Sequence, residues 1–172
     1  MRRSSFGLLI MPLLFAALSA SAQAPPPGGP GAKPARGPSL AAALDLAQGA
    51  IAACAAKGYA ISVTVADSAG GAKVTLAADN SPGRTSTSLR KAASAAIFKA
   101  SGAEIAAREK TDPALAAKIA GAPTLYSDHA GSLPLYAGGE VIGGIGIAGS
   151  PSHEQDAACA QAANDKYGAE LH

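Results

Sequence analysis

The sequence contains no tryptophan, and aromatic residues make up only 4% of its 172 residues. It has two cysteines, and beyond the N-terminus it has no long apolar run free of polar residues. We therefore expect neither a disulfide-rich scaffold nor an integral membrane protein, because the first needs many cysteines and the second an apolar stretch of about 18 residues. The chain is instead rich in alanine, with 44 residues, so much of its 48% hydrophobic content is methyl groups. This composition predicts one domain with a modest core.

An excess of either charge is also missing from most of the chain. The formal net charge of +2 includes Arg2 and Arg3, and from Ser39 onward there are 10 basic and 12 acidic residues. Proteins that bind nucleic acids present basic surfaces, and those that bind single strands add aromatic side chains on which bases stack. We therefore expect no nucleic-acid partner.

The first 24 residues have the pattern of a signal peptide. Arg2 and Arg3 form a short positive region, residues 6–18 are mostly apolar, and Ala22-Gln23-Ala24 provides a cleavage site of small residues. We predict cleavage after Ala24 and a periplasmic or secreted protein whose mature chain does not insert into a membrane. Disulfide bonds can form in these compartments.

Residues 25–38 are predicted to be a disordered linker. Ten of these 14 residues are proline or glycine, and such a segment cannot bury apolar surface. The folded domain is then expected over residues 39–168.

Hydrophobic periodicity predicts a helix at each end of this domain. Ser39 can cap the first helix, whose larger apolar residues recur at helical spacing and are expected to face inward: Leu40, Leu44, Ala47, Ile51 and Cys54. Ser152 and Gln155 form a capping-box pattern for the last helix, which runs to about Tyr167. Between them we predict a helix over residues 85–98 and helical turns over residues 101–120, broken near Asp112-Pro113.

Two β-hairpins are predicted from apolar and β-branched residues on either side of glycine-containing turns. Their strands are, in chain order, residues 59–66, 73–78, 133–137 and 140–148. Two consecutive antiparallel hairpins flanked by helices argue for an α+β fold with a central antiparallel sheet of four or five strands, and against a doubly wound parallel sheet.

The last predicted strand is dense in glycine. It contains Gly143, Gly144 and Gly146, and glycine inside a strand costs stability. These positions therefore indicate the close approach of another backbone, a helix or a ligand.

No catalytic motif is present, so we expect no enzymatic activity. The chain has neither G-x-S-x-G nor H-E-x-x-H, and its three histidines offer few chances to combine a nucleophile, a base and an orienting group. A single histidine can nevertheless ligate the iron of haem. His129 follows Asp128, which can orient its ring, and His153 lies in the first turn of the last helix, whose dipole favours a neutral imidazole. The alternative, which such positions favour, is that both histidines are ordinary exposed loop or cap residues.

The start of the second helix predicts a site for an anionic ligand. Thr85 lies in a first turn rich in hydroxyl groups, and Arg84, Arg90 and Lys91 are close to it in sequence. Backbone N–H groups, hydroxyls and cations together suit carboxylates such as the propionates of haem. The alternative is a surface helix with solvated cations.

Several segments of the domain occur in a familiar order: Gly58-Tyr59-Ala60-Ile61-Ser62-Val63-Thr64-Val65-Ala66-Asp67, Lys91-Ala92, Leu133-Pro134-Leu135, Gly138-Gly139-Glu140-Val141-Ile142-Gly143-Gly144-Ile145-Gly146, and Asp156 with Ala158-Cys159. Together they resemble the GlcG/HbpS family of haem-binding proteins. The resemblance implies a profilin-like fold with helices on both faces of the sheet, a ring-like homo-oligomer, and haem or a related anionic tetrapyrrole as ligand. Arg84 stands where related chains often carry a histidine.

The two cysteines bear on structure. Cys54 falls on the first predicted helix and Cys159 on the last, and a profilin-like arrangement can place these helices side by side. Two interpretations stay open, a disulfide bond in an oxidising compartment or two buried free thiols.

The sequence therefore favours an exported, non-catalytic haem- or tetrapyrrole-binding protein that sequesters or senses its ligand. We expect the cleft near the glycine-rich strand and the start of the second helix. One alternative is a ligand-free oligomeric interaction module in which the glycine-rich strand packs against a neighbouring subunit. Another is an accessory protein of small hydroxy-acid metabolism.

Overall fold

A computed structural model describes residues 34–171 of the chain. The helices and strands are, in order, α1 (Leu40–Ala55), β1 (Ser62–Asp67), β2 (Ala72–Ala77), α2 (Thr85–Phe98), α3 (Gly102–Glu109), α4 (Pro113–Ala120), β3 (Ser132–Ala137), β4 (Glu140–Ala148) and α5 (His153–Tyr167), followed by a 3-10 turn at Gly168–Glu170. The predicted signal peptide and the linker as far as residue 33 lie outside the described residues. Within those residues, no helix has the length and apolar character needed to cross a bilayer.

The four strands form one antiparallel sheet in the order β2-β1-β4-β3. Each predicted hairpin forms, and β1 pairs with β4 to join them, with Val63 opposite Ile147. Helices α1 and α5 pack on one face of the sheet and α2 on the other. The α+β class and the central sheet of two hairpins flanked by helices are therefore confirmed.

The inward face of α1 differs from the predicted one. Leu40 is 60% exposed, whereas Leu46 is fully buried. The buried face consists mainly of small side chains: Ala42, Ala43, Leu46, Ala47, Ala50 and Cys54. A stripe of alanines lets the helix axis lie close to the sheet, and the larger Leu44 and Ile51 are left at the margin of the core. The predicted inward face of α1 is therefore wrong for its larger side chains. It is correct for Ala47 and Cys54, which are buried.

The glycines of β4 are explained by helix α2. A Cβ atom added to Gly144 would overlap the backbone oxygen of Ala92, and one added to Gly146 would overlap that of Ser88. Of the three possibilities left open by the sequence, the helix is the correct one at these two positions. A ligand cleft over these two glycines is excluded because α2 fills that space. A neighbouring subunit cannot pack there for the same reason, and β4 is already flanked by β1 and β3.

Residues 36–38, which the sequence assigns to the linker, pack against the domain. Pro38 is buried, and the backbone N–H of Ser68 donates a hydrogen bond to the carbonyl oxygen of Arg36 over 2.8 Å. The disorder predicted for the linker therefore does not extend to these three residues, because a backbone partner and an apolar contact hold them.

A disulfide bond joins the helices on the apolar face of the sheet. Cys54 of α1 is bonded to Cys159 of α5, with the two Cα atoms 5.5 Å apart and both residues fully buried. Of the two interpretations of the cysteines, the structure has the bonded one.

Candidate functional site

Two adjoining recesses lie beside the N-terminal half of α2. The first, of about 620 Å³, separates α2 from the segment that joins β4 to α5. The second, of about 390 Å³, separates α2 from residues 119–129. Both are lined by Arg84, Thr87 and His153, so we treat them as one feature, the α2 groove. Its volume lies within the range of small-molecule sites.

The first turn of α2 supplies donors to this groove. Arg84 is the N-cap residue, and its side chain makes no capping hydrogen bond. The first backbone N–H groups of a helix have no partner inside it, and the helix dipole makes this end positive. Arg84 is exposed and lines both recesses, whereas Thr85 is exposed but lines neither, and Thr87 is the hydroxyl residue of this turn that does. Arg90 lines the second recess, where its Nη1 also donates to the carbonyl oxygen of Pro123 over 2.6 Å.

Lys91 does not present a free charge to the groove. Its side chain is fully buried, and Nζ donates to Asp156 Oδ2 and to the carbonyl oxygen of Ile147, each over 2.9 Å. The prediction that Lys91 belongs to the anion site is therefore wrong, because its position on α2 turns it toward α5 and β4. Its ammonium group is part of a buried ion pair beneath the groove.

The ion pair ties three elements together. The other carboxylate oxygen of Asp156, Oδ1, accepts hydrogen bonds from the hydroxyl of Ser150 over 2.6 Å and from its backbone N–H over 3.1 Å. Burial lowers the pKa of Lys91, and the hydrogen bond and charge of Asp156 oppose that shift. The pair thus fixes the turn between β4 and α5, which forms one wall of the first recess.

The two candidate histidines lie side by side, although 24 residues separate them in sequence. The ring centroids of His129 and His153 are 4.6 Å apart, with the ring planes at 86°. His129 Nδ1 lies 2.6 Å from Asp128 Oδ1, and His153 Nδ1 lies 3.5 Å from Lys91 Nζ. Both histidines line the second recess of the groove.

The charges around the histidines favour an ionised Asp128 and a neutral His153. Burial is the largest influence on the pKa of Asp128 and acts to raise it, but the hydrogen bond and charge of His129, with hydrogen bonds from the backbone and Glu109, together lower the pKa below its usual value. Burial and the negative charge of Asp128 raise the pKa of Glu109, which neighbours it. Burial, with the positive charge of Lys91, lowers the pKa of His153.

An ionised carboxylate accepts hydrogen bonds but cannot donate them, so His129 donates its Nδ1–H to Asp128. In a neutral ring with this hydrogen bond, Nε2 carries the lone pair that can ligate a metal, and the carboxylate is the orienting partner common around metal-bound histidines. Among residues 34–171, no group of three or more His, Cys, Asp and Glu side chains is arranged to hold a bare metal ion. One imidazole is enough for haem, because the macrocycle supplies the other four ligands. The residues present therefore fit haem better than a bare metal ion.

Sequence reasoning missed Asp156 and Ser150 as parts of this site, whereas Thr87 belongs to the hydroxyl-rich first turn that the sequence had indicated. Asp156 lies in the first turn of α5, where an acidic residue is explained by the helix dipole alone. Its pairing with Lys91 spans 65 residues and depends on how α2 and α5 are placed against β4. No local pattern contains that information.

Comparison with known proteins places the chain among relatives. A family model described as HbpS-like, haem degrading protein HbpS-like, matches residues 39–165. The crystal structure of a double mutant of HbpS from Streptomyces reticuli is similar, with a TM-score of 0.70 and 32% sequence identity, over 86% of this chain and 97% of that one. A comparison with curated proteins found no match.

Two further solved structures share the fold. Protein ORFY of Klebsiella pneumoniae has a TM-score of 0.71 and 25% identity, over 83% of this chain and 98% of that one. A structure described as the PduOC:heme complex has a TM-score of 0.64 and 26% identity, over 73% of this chain and 91% of that one. The resemblance seen in the sequence is thereby confirmed, and the chain belongs to the HbpS-like family.

Proposed function

We propose that this protein is exported and binds haem, or a related anionic tetrapyrrole, in the α2 groove without chemically converting it. Its role is then to sequester or to sense the ligand. His129 is the residue that ligates the iron. Arg84, Arg90 and the first turn of α2 bind the propionates.

The observation that carries the proposal is the combination of these groups in one groove. An imidazole oriented by Asp128 and two arginines line the same recess. An imidazole is a common ligand of haem iron, and cationic donors suit the two propionates of the same ring. A relative crystallised as a haem complex supports the same class of ligand.

Titration with haemin tests the proposal. We expect a Soret band that shifts on binding and stays with the protein through gel filtration. Replacing both groove arginines, Arg84→Ala with Arg90→Ala, should weaken binding about tenfold or more, since each charge-assisted contact contributes about 1.5 kcal/mol. The matched control removes two exposed cations outside the groove, Lys73→Ala with Lys110→Ala, and should leave the affinity within twofold of wild type. Failure of the wild-type protein to retain haemin would contradict the proposal.

The family description favours a second candidate function, haem degradation. The two functions differ in the fate of the bound ring. We expect the Soret absorbance of the complex to persist for hours in air with ascorbate. Its rate of decay should be no faster than that of haemin bound to serum albumin. Faster loss, with an open-chain tetrapyrrole as product, would replace binding by turnover.

Export and assembly are separate parts of the proposal. Expression of the full chain in a bacterium should yield mature protein that begins at Pro25 and is recovered from the periplasm or the medium. Gel filtration should give a mass several times that of the mature chain, as expected for a homo-oligomer. An intact N-terminus in the cytoplasm would contradict the first expectation, and a monomer the second.

A further inference from the structure

The pair of histidines beside the groove cannot both ligate one haem iron in the arrangement seen. Axial histidines on opposite faces of a haem each bind through a metal–nitrogen bond of about 2 Å, so their ring centroids lie about 6 Å apart with the macrocycle between them. The centroids of His129 and His153 are 4.6 Å apart and the rings meet edge to face. No macrocycle fits between rings in direct contact, so the two residues must have different roles.

The hydrogen bonds assign those roles. His129 donates Nδ1–H to Asp128 and keeps a lone pair on Nε2. His153 has the opposite polarity, because Nδ1 faces the ammonium group of Lys91, which can only donate. Nδ1 of His153 therefore faces the protein and not the groove, and the ring packs edge to face against His129.

Lys91 itself has no freedom to turn away from His153. Its other two contacts are with Asp156 and the carbonyl oxygen of Ile147, and its side chain is fully buried. A chain of contacts therefore runs from the buried ion pair through the exposed ring of His153 to the exposed ring of His129.

We propose that His129 is the sole axial ligand and that His153 is a positioning residue, held by Lys91, whose ring fixes the orientation of the His129 imidazole by edge-to-face packing. This inference rests on the proposed function and adds to it that the two histidines have different roles, one as iron ligand and one as positioning residue. Fixing a ligand before binding reduces the entropy lost when the complex forms and slows its dissociation.

The test compares ferric haem complexes of the wild type, His129→Ala, His153→Ala and His153→Phe by visible and electron paramagnetic resonance spectra and by the rate of haem transfer to apomyoglobin. We expect His129→Ala to lose the imidazole-ligation signature and to regain it with added imidazole. His153→Ala should keep the wild-type coordination and spin state but release haem about fivefold faster. His153→Phe keeps an aromatic ring but lacks the nitrogen that faces Lys91, so its release rate should lie between those of wild type and His153→Ala.

Three results would overturn the inference. A wild-type low-spin complex with two nitrogen ligands that becomes five-coordinate in His153→Ala would make His153 a ligand. A signature that survives in His129→Ala would remove His129 from the iron. Equal release rates for wild type and His153→Ala would remove the positioning role. Absence of any haem complex in the wild type is a different result, because it refutes the proposed function itself.

Discussion

The two faces of the sheet are packed in different ways. On the face covered by α1 and α5, branched side chains such as Leu46, Val63 and Ile145 are buried around the disulfide bond. On the face covered by α2, glycines and alanines bring backbones together, and the buried side chains include hydroxyl groups and an ion pair. The groove lies along the second face. The comparison indicates that the first face supplies most of the apolar stability, whereas the second has fewer apolar contacts and places polar groups beside the groove.

The buried hydroxyl groups of Thr64 and Ser88 beneath α2 are paired with each other. Thr64 of β1 hydrogen-bonds to Ser88 of α2 over 2.8 Å and to Thr75 of β2 over 3.1 Å. Ser88 donates in turn to the carbonyl oxygen of Thr85 in the first turn of the helix. Because buried polar groups are costly only when unpaired, such a network fixes the position of the α2 N-terminus without a large apolar contact.

Removing the disulfide bond should have the largest effect on stability and almost none on the groove. The bond closes a loop of 105 residues, for which loss of the cross-link lowers the free energy of unfolding by about 4 kcal/mol. Thermal unfolding of Cys54→Ala with Cys159→Ala should show this loss, while the Kd for haemin stays within twofold of wild type. Mass spectrometry of alkylated wild type before and after reduction confirms the bond in the starting material. Unchanged stability, or a lost haem affinity in a folded variant, would break the contrast between the two faces.

Breaking the buried ion pair should lower both the stability of the fold and the affinity for haem. Lys91→Met leaves the carboxylate of Asp156 buried without its charge partner, which lowers the free energy of unfolding by about 3 kcal/mol. It also frees the turn at Ser150 and the ring of His153, so the haem affinity should fall about tenfold. The apolar double variant Lys91→Met with Asp156→Leu should regain most of the stability but not the affinity.

An exposed lysine provides the control for this prediction. Lys99 follows α2 and is solvent-exposed, so Lys99→Met should change neither property beyond about 0.5 kcal/mol. If Lys91→Met changed stability and haem affinity as little as Lys99→Met, the buried ion pair would not be important for the α2 face.

The elements of this fold could be predicted from local chemistry, but the faces of its helices could not. Ser39, Ser152 and Asp112 each mark a helix start by side-chain capping, and each makes the expected hydrogen bond. The inward face of α1 escaped prediction because alanine is small enough to lie either inside or outside. The choice between Leu40 and Leu46 is made by α5 and the sheet, which are distant in sequence.

The sequence indicates which side chains could line the candidate site, but not which of them contact one another. His129, His153, Arg84 and Arg90 line one groove, although the sequence gives no distance between them. Lys91 could not be separated from the arginines by sequence alone, since only packing against α5 shows that it is buried and paired.

Adding one methyl group to the β4–α2 contact should have an intermediate effect. In Gly146→Ala the new Cβ meets the backbone of Ser88 and Ala92, so α2 must shift. We expect a loss of about 2 kcal/mol and a weaker haem complex, because the first turn of α2 moves with the helix. Gly138→Ala is the control, since its Cβ meets nothing within 4 Å and only its φ of +58° is unfavourable. It should cost about 1 kcal/mol with unchanged affinity, and equal haem affinities in the two variants would show that the groove does not depend on how closely α2 packs.

The smallest effect should come from a residue on neither face. Glu104 accepts hydrogen bonds from the backbone N–H and the hydroxyl of Ser101 at the start of α3, and these bonds lower its pKa. A carboxyl group whose pKa is lower in the folded state stabilises the fold above its unfolded pKa and loses that contribution as the pH falls through the folded value. The wild type should therefore lose stability relative to Glu104→Gln between about pH 5 and pH 3. At pH 7 the two should differ by about 0.5 kcal/mol or less, because glutamine can form the same capping box and the group is exposed. Thermal unfolding of both proteins across this range measures the difference, and a wild-type stability that stays constant or rises relative to Glu104→Gln as the pH falls would show that Ser101 does not stabilise the ionised carboxylate of Glu104.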